Sequence, residues 1–199
     1  MAPSIVLKEL KELIQQRSSQ GRILVALAGP PGSGKSTLAG ELESALNQEQ
    51  PEQAMILQMD GFHYDDLYLV PAGLRPRKGA PQTFDVVGFY HILRRLRERQ
   101  EEFVAVPVFD RDLEIARAGA RLIPAKIPVI LVEGNYLLLQ QEPWSQLRTL
   151  FDVAVLLEVP ERVLEERLMA RWQHYALHPE EIAAKVYDND LPNGRYVMA

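Results

Sequence analysis

The chain contains no cysteine. That excludes a disulfide framework, a thiol nucleophile, an iron–sulfur cluster and a cysteine-ligated zinc site. Histidine is scarce, and the four present form no HExxH motif of a zinc protease. No apolar run approaches the ~20 residues of a membrane-crossing helix. The N-terminal stretch alternates charged and apolar residues (Lys8, Glu9, Lys11, Glu12) where a signal peptide would carry an apolar core. A soluble, cytoplasmic protein is the expectation, with no membrane partner. An excess of positive charge is missing too: the net charge is −5, which argues against a general nucleic-acid binder. Repeats and low-complexity linkers are absent, so residues 1–199 are read as one domain. A homodimer stays open.

What is present is a globular mixture whose apolar residues fall in short patterned blocks. Val6, Leu10, Leu13 and Ile14 recur at helical spacing, with Ser4 placed to cap the helix. Ile23 to Ala28 is a continuous apolar run bounded by glycines, the pattern of a buried strand. Leu38, Leu42, Ala45 and Leu46 fall on one helical face, and Ala54 to Met59 reads as a second strand ending in Asp60-Gly61. A polar stretch from Phe62 to Phe84 follows. Asp85 then caps a helix that turns Val86, Phe89, Leu93 and Leu96 inward. Val104 to Phe109 is a strand interrupted by Pro107, which places it at a sheet edge. Pro128 to Val132 and Val153 to Val159 are further strands. Glu161 to Trp172 is helical, and Pro179 opens another helix through Val186. The last segment, NDLPNGRYVMA, reads as a final helix barely begun, as in a truncated chain, and leaves Asn193 without a role.

Strands alternating with helices predict an α/β fold with a mostly parallel sheet. Such sheets bind ligands beyond the carboxyl ends of their strands. Three polar segments fall at such ends: the one after Ala28, Asp60 after Met59, and Glu133 after Val132.

The first of these, Gly29-Pro30-Pro31-Gly32-Ser33-Gly34-Lys35-Ser36, fits G-x-x-x-x-G-K-[ST] between a strand and a helix. Glycines let the loop wind so that successive N–H groups, up to Thr37, face one concavity, and the helix N-terminus adds its positive end. Lys35 reaches the outer phosphates and Ser36 offers a hydroxyl to Mg²⁺. A nucleoside triphosphate and Mg²⁺ are the expected ligands.

The loop alone does not separate a switch, a motor and a kinase. No Asn-Lys-x-Asp guanine-reading motif is present and no second domain for mechanical work. Asp60, facing the loop from a strand end, can accept a proton from an acceptor hydroxyl; a loop-capping role is its bland alternative. His63 is as well explained by a local turn contact as by contact with substrate. Arg77 and Lys78, in Arg75-Pro76-Arg77-Lys78-Gly79, can hold an anionic or hydroxyl-rich acceptor, or be a solvated charge run. Glu133 can hold Mg²⁺ directly or through water. Arg167 and Arg171, four apart on one helix, are assigned to a closing lid over the moving phosphoryl group, with Arg171 preferred. Salt bridges to Glu161, Glu165 and Glu166 are the competing use for both.

These segments together resemble the uridine kinase, phosphoribulokinase and bacterial pantothenate kinase group of P-loop kinases. The likeness runs through GPPGSGKS, MDGFH, GLRPRKGAPQTFD, PVFDR, ILVEGNYLL and ERLMARW. The resemblance implies a three-layer P-loop sandwich with the loop strand central and a small helical lid at roughly 161–190. It also implies ATP and Mg²⁺, Asp60 as base and Glu133 as its acidic partner. GLRPRKGAPQTFD, which contains Phe84, is similar to a segment bordering the acceptor site of pantothenate kinases. Phe109-Asp110-Arg111 is similar to an acceptor-binding segment, which implies that Asp110 and Arg111 hold substrate oxygens. The expected activity is transfer of the ATP γ-phosphoryl group to a hydroxyl of a sugar, nucleoside or pantothenate-like molecule. A phosphate-accepting kinase, or a non-catalytic nucleotide sensor or partner-binding ATPase, are the alternatives. The strand ending in Asp60 is expected beside the loop strand.

Overall fold

A computed structural model describes residues 6–175 and 177–199. Four parallel strands form the central sheet in the order β2-β5-β1-β6, where β1 is Ile23–Ala28, β2 Ala54–Gln58, β5 Val129–Gly134 and β6 Val153–Leu156. Every residue of β1 and β5 is buried, as their unbroken apolar runs require of central strands covered on both faces. The edge strands β2 and β6 are only partly buried.

Alternate side chains of β1 feed two cores. Val25 and Leu27 pack with Leu10 and Ile14 of α1 (Leu7–Ser18) and with Ala39, Leu42 and Leu46 of α2 (Lys35–Glu49). Leu24 and Ala26 face the other layer, where α4 (Val86–Glu98) contributes Phe89, Leu93 and Leu96. The predicted cap of α4 is present: Asp85 Oδ1 accepts from the N–H of Gly88 at 2.8 Å. The predicted faces of α1 and α2 hold in part, since Val6 is exposed and Leu38 and Ala45 are half-buried. Ser4 lies outside the described residues.

Three expectations need correction. The strand ending near Asp60 is not beside the loop strand, because β5 lies between them. The chain leaves β1 through α2, skips one position and returns later to fill it. Val104–Phe109 is not an edge of the main sheet. It belongs to β3 (Phe103–Asp110), which pairs antiparallel with β4 (Ile115–Pro124) as a separate two-stranded sheet. The pairing slips between Val106 and Val108, where Pro107 can donate nothing to the ladder. The strand β4 itself was not expected, because Ala116 to Arg121 carries four alanines or glycines and two arginines and no apolar alternation. Finally, the helix opened by Pro179 does not stop at Val186. The short α6 (Pro179–Ala183) runs into a π-helical segment, Ala184–Asp190, and then into α7 (Leu191–Met198). The last residues are therefore helical throughout 191–198.

The long polar stretch after β2 is ordered by short elements, among them a 3₁₀ turn at Met59–Phe62 and the one-turn α3 (Asp66–Leu69). The helix α5 (Glu161–His174) packs Leu164 and Leu168 against Ile182, Val186 and Leu191. Leu164 and Leu168 of this cluster lie against Gly32, in the loop that follows β1.

Candidate active site

The loop after β1 ends at Gly34, whose φ of +96° is a conformation that disfavours any residue with a Cβ, and α2 begins at once with Lys35. Lys35 is 8% exposed, and its ammonium donates to the carbonyl of Pro30 at 2.9 Å. An ammonium has three donors, and the described residues accept one. Burial pulls Lys35 down to about 8, against the opposing charges of Glu133 and Asp60. Ser33 Oγ, beneath the same loop, is buried with no partner among the described residues. Spare donors inside a wound backbone fit an anion with several oxygens.

Two carboxylates stand across the cleft. Glu133, at the end of β5, is 4% exposed; it accepts from Ser36 Oγ at 3.1 Å and Gln58 Nε2 at 3.2 Å. Burial, and then Asp60, raise its pKa above the usual carboxylate range. Asp60 sits in the 3₁₀ turn after β2, and Gly61 lets that turn lie against β3: a Cβ there would meet the Pro107 carbonyl oxygen at 2.7 Å. Arg111 Nη2 donates to Asp60 Oδ2 at 2.7 Å. Burial pushes Asp60 up, but His63, Arg111, Lys35 and Arg171 together outweigh it and hold the carboxyl below the usual range. Among the described residues no cluster of three His, Asp or Glu side chains could hold a metal. Ser36 and Glu133 supply two hard oxygens, the chemistry that suits a Mg²⁺ completed by phosphate and water.

Arg167 and Arg171 are not neutralised by the acids of their own helix. Glu161 pairs with Arg195, Glu166 with Arg162, and Glu165 accepts from Tyr187 Oη. Arg167 donates instead to the carbonyls of Gly32 (3.2 Å) and Ser33 (3.4 Å). Arg171 has no hydrogen bond or ion pair among the described residues and lines both the main cleft and the smaller cavity over the loop. Trp172 donates to Asp190 Oδ2 at 2.7 Å and lines the main cleft.

The main cleft has a volume of about 540 Å³. Of the expected acceptor residues, His63, Arg77, Lys78, Phe84 and Arg111 line it. Asp110 does not. Its carboxylate accepts from Arg117 Nε at 2.8 Å and the N–H of Leu113 at 3.1 Å, so it is used up in the turn of the β3–β4 hairpin. Gly29 and Pro30 line neither cavity, Pro31 lines the main cleft, and Gly32 to Thr37 line the smaller cavity of about 440 Å³. Sequence reasoning missed Asn135, Lys185, Asn189 and Asp190, which also line the main cleft. Asn189 Nδ2 donates to the Lys78 carbonyl at 2.8 Å, and Asn193 Nδ2 to Asn189 Oδ1 at 3.1 Å. This gives the buried Asn193 its role, and the run DNDLPN, dense in short polar side chains, is the signal that could have found it.

Known proteins share this architecture. Residues 4–68 match the KAP family P-loop domain. The chain is 39% identical over 187 residues to the uncharacterized protein YggC of Escherichia coli (strain K12), covering 93% of this chain and 76% of that one. It is 35% identical over 185 residues to a provisionally named uridine kinase of Schizosaccharomyces pombe, covering 89% of this chain and 79% of that one. A solved structure from Silicibacter sp. TM1040, provisionally described as a fructose transport system kinase, superposes with a TM-score of 0.89 at 43% identity. That match covers 98% of this chain and 95% of the other. No helix of the described residues is long and apolar enough to cross a membrane.

Proposed function

The chain belongs to the uridine kinase-like P-loop kinases, and on that premise we propose that it transfers the γ-phosphoryl group of ATP, with Mg²⁺, to a hydroxyl of a small molecule. The observation that carries this reading is the meeting, in one cleft at the ends of parallel strands, of the loop lysine Lys35 with two carboxylates of opposite character, Asp60 and Glu133. A phosphate acceptor is already deprotonated and would have no use for Asp60.

In this mechanism the loop N–H groups and Lys35 hold the phosphates, with Gly32 to Thr37 as the cradle. Ser36 and Glu133 hold Mg²⁺, which when bound supplies positive charge that offsets the phosphate oxygens. Asp60, kept ionised by Arg111, accepts the hydroxyl proton as the acceptor oxygen attacks phosphorus and the bond to the β-phosphate oxygen breaks. Arg171 lies over the moving phosphoryl group, and Arg167 fastens α5 to the loop. The α5–α7 cluster acts as the lid. Phe84, Arg77, Lys78 and His63 form the acceptor wall.

The relatives' provisional names point to different acceptors, a nucleoside in one and a sugar in another. The test is acceptor-dependent ADP release by the purified chain across sugars, nucleosides and vitamins. ADP release that no acceptor accelerates would refute the kinase assignment.

A further inference from the structure

Three cations of the acceptor wall, Arg75, Lys78 and Arg111, already hold carboxylates. Arg75 Nε donates to Asp66 Oδ2 at 2.6 Å, and its other end pairs with Glu114. Lys78, whose side chain is 8% exposed, holds Asp66 Oδ1 at 2.7 Å and the Glu114 carbonyl. Arg77 donates to the Asp188 carbonyl, and Arg111 to Asp60. Lys185 stands 3.7 Å from Glu114 and 4.3 Å from the Trp172 ring centre. The carboxylates of Asp188 and Glu181 line the same end. An anionic acceptor drawn to Arg75, Lys78 or Arg111 would compete with the Asp66, Glu114 and Asp60 carboxylates they already hold, at a cost that neutral hydroxyls avoid.

Among the polar atoms of this wall is an acceptor without a partner. His63 Nδ1 lies 2.7 Å from the carbonyl of Asp60. A carbonyl oxygen only accepts, so this contact assigns the proton to Nδ1 and leaves a lone pair on Nε2. Nε2 has no partner among the described residues, and His63 borders the cleft. The ring is held between Phe84 and Phe109, with centroids 4.0 and 4.8 Å away, so it is not free to turn. Burial also draws the imidazole below its ordinary pKa, which favours the neutral form.

We propose that the acceptor is an uncharged polyol, one hydroxyl of which donates to the Asp60 carboxylate while a second donates to Nε2 of His63, with Phe109 as the apolar wall. His63 is then the residue that reads the second hydroxyl. The proposal rests on the kinase reading above and narrows its substrate class.

The test compares initial rates of ADP release by the full chain at fixed ATP and Mg²⁺. The neutral probes are glycerol, D-ribose, D-fructose and uridine. The anionic probes are D-glycerate, pantothenate and D-ribose 5-phosphate. The best substrate is expected among the neutral probes. With that probe, a deoxy analogue lacking the second hydroxyl should lose about three- to tenfold in kcat/KM, the worth of one neutral hydrogen bond. His63→Leu should lose a similar factor, mainly through the acceptor KM, and should no longer distinguish the analogue from its parent. His63→Gln, which returns an acceptor oxygen near the place of Nε2, should recover part of the discrimination. Should His63→Leu fail to fold, the deoxy comparison in the unmodified chain and in His63→Gln decides. Turnover that favours an anionic probe, or a deoxy penalty unchanged by His63→Leu, overturns the polyol proposal and leaves the kinase standing. ADP release that no probe accelerates overturns both.

Discussion

Replacing Asp60 by asparagine keeps the shape of the side chain and removes the proton acceptor. Two scales separate its effects. The Arg111–Asp60 pair is half open to water, with side chains 45% and 23% exposed, and such pairs contribute at most about 1 kcal/mol to stability. For a chain of this size that is a fall in Tm of roughly 2–4 °C. A positioned general base contributes about 10²–10⁴-fold, or roughly 3–5 kcal/mol of barrier. The transition state of phosphoryl transfer is loose and asks less of the base, so the lower end of that range is expected. The affinity for ATP should stay constant or tighten slightly, because Lys35, the loop and Glu133 remain while one negative charge near the phosphates is gone. The assay is kcat on the acceptor returned by the screen, with ATP Kd by calorimetry and Tm by thermal melt. A loss of kcat below about threefold with ATP binding intact would refute the base assignment. Asp60 would then be an anchor for Arg111.

Lys35→Ala should weaken ATP binding or transfer while the fold survives, since a lysine pulled down to about 8 by burial gives the empty loop little stability to lose; unchanged turnover would remove the loop from the mechanism. Arg171→Ala should lower kcat more than it raises the KM for ATP, with Tm nearly constant because no described residue pairs with it. A normal kcat would return Arg171 to the surface. Arg111→Leu bears on pH. Asp60 is held below its ordinary range, so its contribution is present above that range and is lost only as pH falls through the depressed value. Removing Arg111 lets burial weigh more, so the acid limb of kcat/KM should move to higher pH; an unmoved limb would show that Arg111 does not set the charge of Asp60.

Most of the sheet could be read because its central strands are apolar on both faces, and β1 and β5 announce themselves without reference to the rest of the chain. The phosphate loop could be read because its spacing is dictated by backbone geometry. Strand order was a different matter. Nothing local in β2 records that β5, some seventy residues later, inserts between it and β1. The hairpin strand β4 was missed because it faces solvent along much of its length and has no apolar alternation to display. Asp110 was expected as a ligand because Phe109-Asp110-Arg111 is similar to an acceptor-binding segment. Its use by Arg117 depends on the pairing of β3 with β4, which sequence pattern did not supply. The wall built by Lys185, Asn189 and Asp190 comes from a π-helical segment, where the spacing of side chains departs from 3.6 residues and helical periodicity stops being a guide.

The strand order that escaped sequence reasoning also explains why two carboxylates in one cleft can be given different work. With β5 next to β1, Glu133 ends directly across from Ser36 and deep under the loop. It is buried there and faces Asp60, so its carboxyl is raised in spite of Lys35, Gln58 and Ser36. A carboxyl in that state is stabilised as an anion chiefly by a cation brought to it, which suits a ligand of Mg²⁺ better than a base. With β2 one position further out, Asp60 reaches the mouth of the cleft, where the β3–β4 hairpin delivers Arg111 to it. There the carboxyl stays ionised without a metal and faces the space an acceptor enters. Groups pushed apart in this way mark the division between a charged proton acceptor and a second, differently used acid. Exchanging the two strands in the sheet would bring Asp60 under the loop and leave Glu133 beside the hairpin. The proposed roles therefore follow from where β5 inserts and not from the identity of the two side chains.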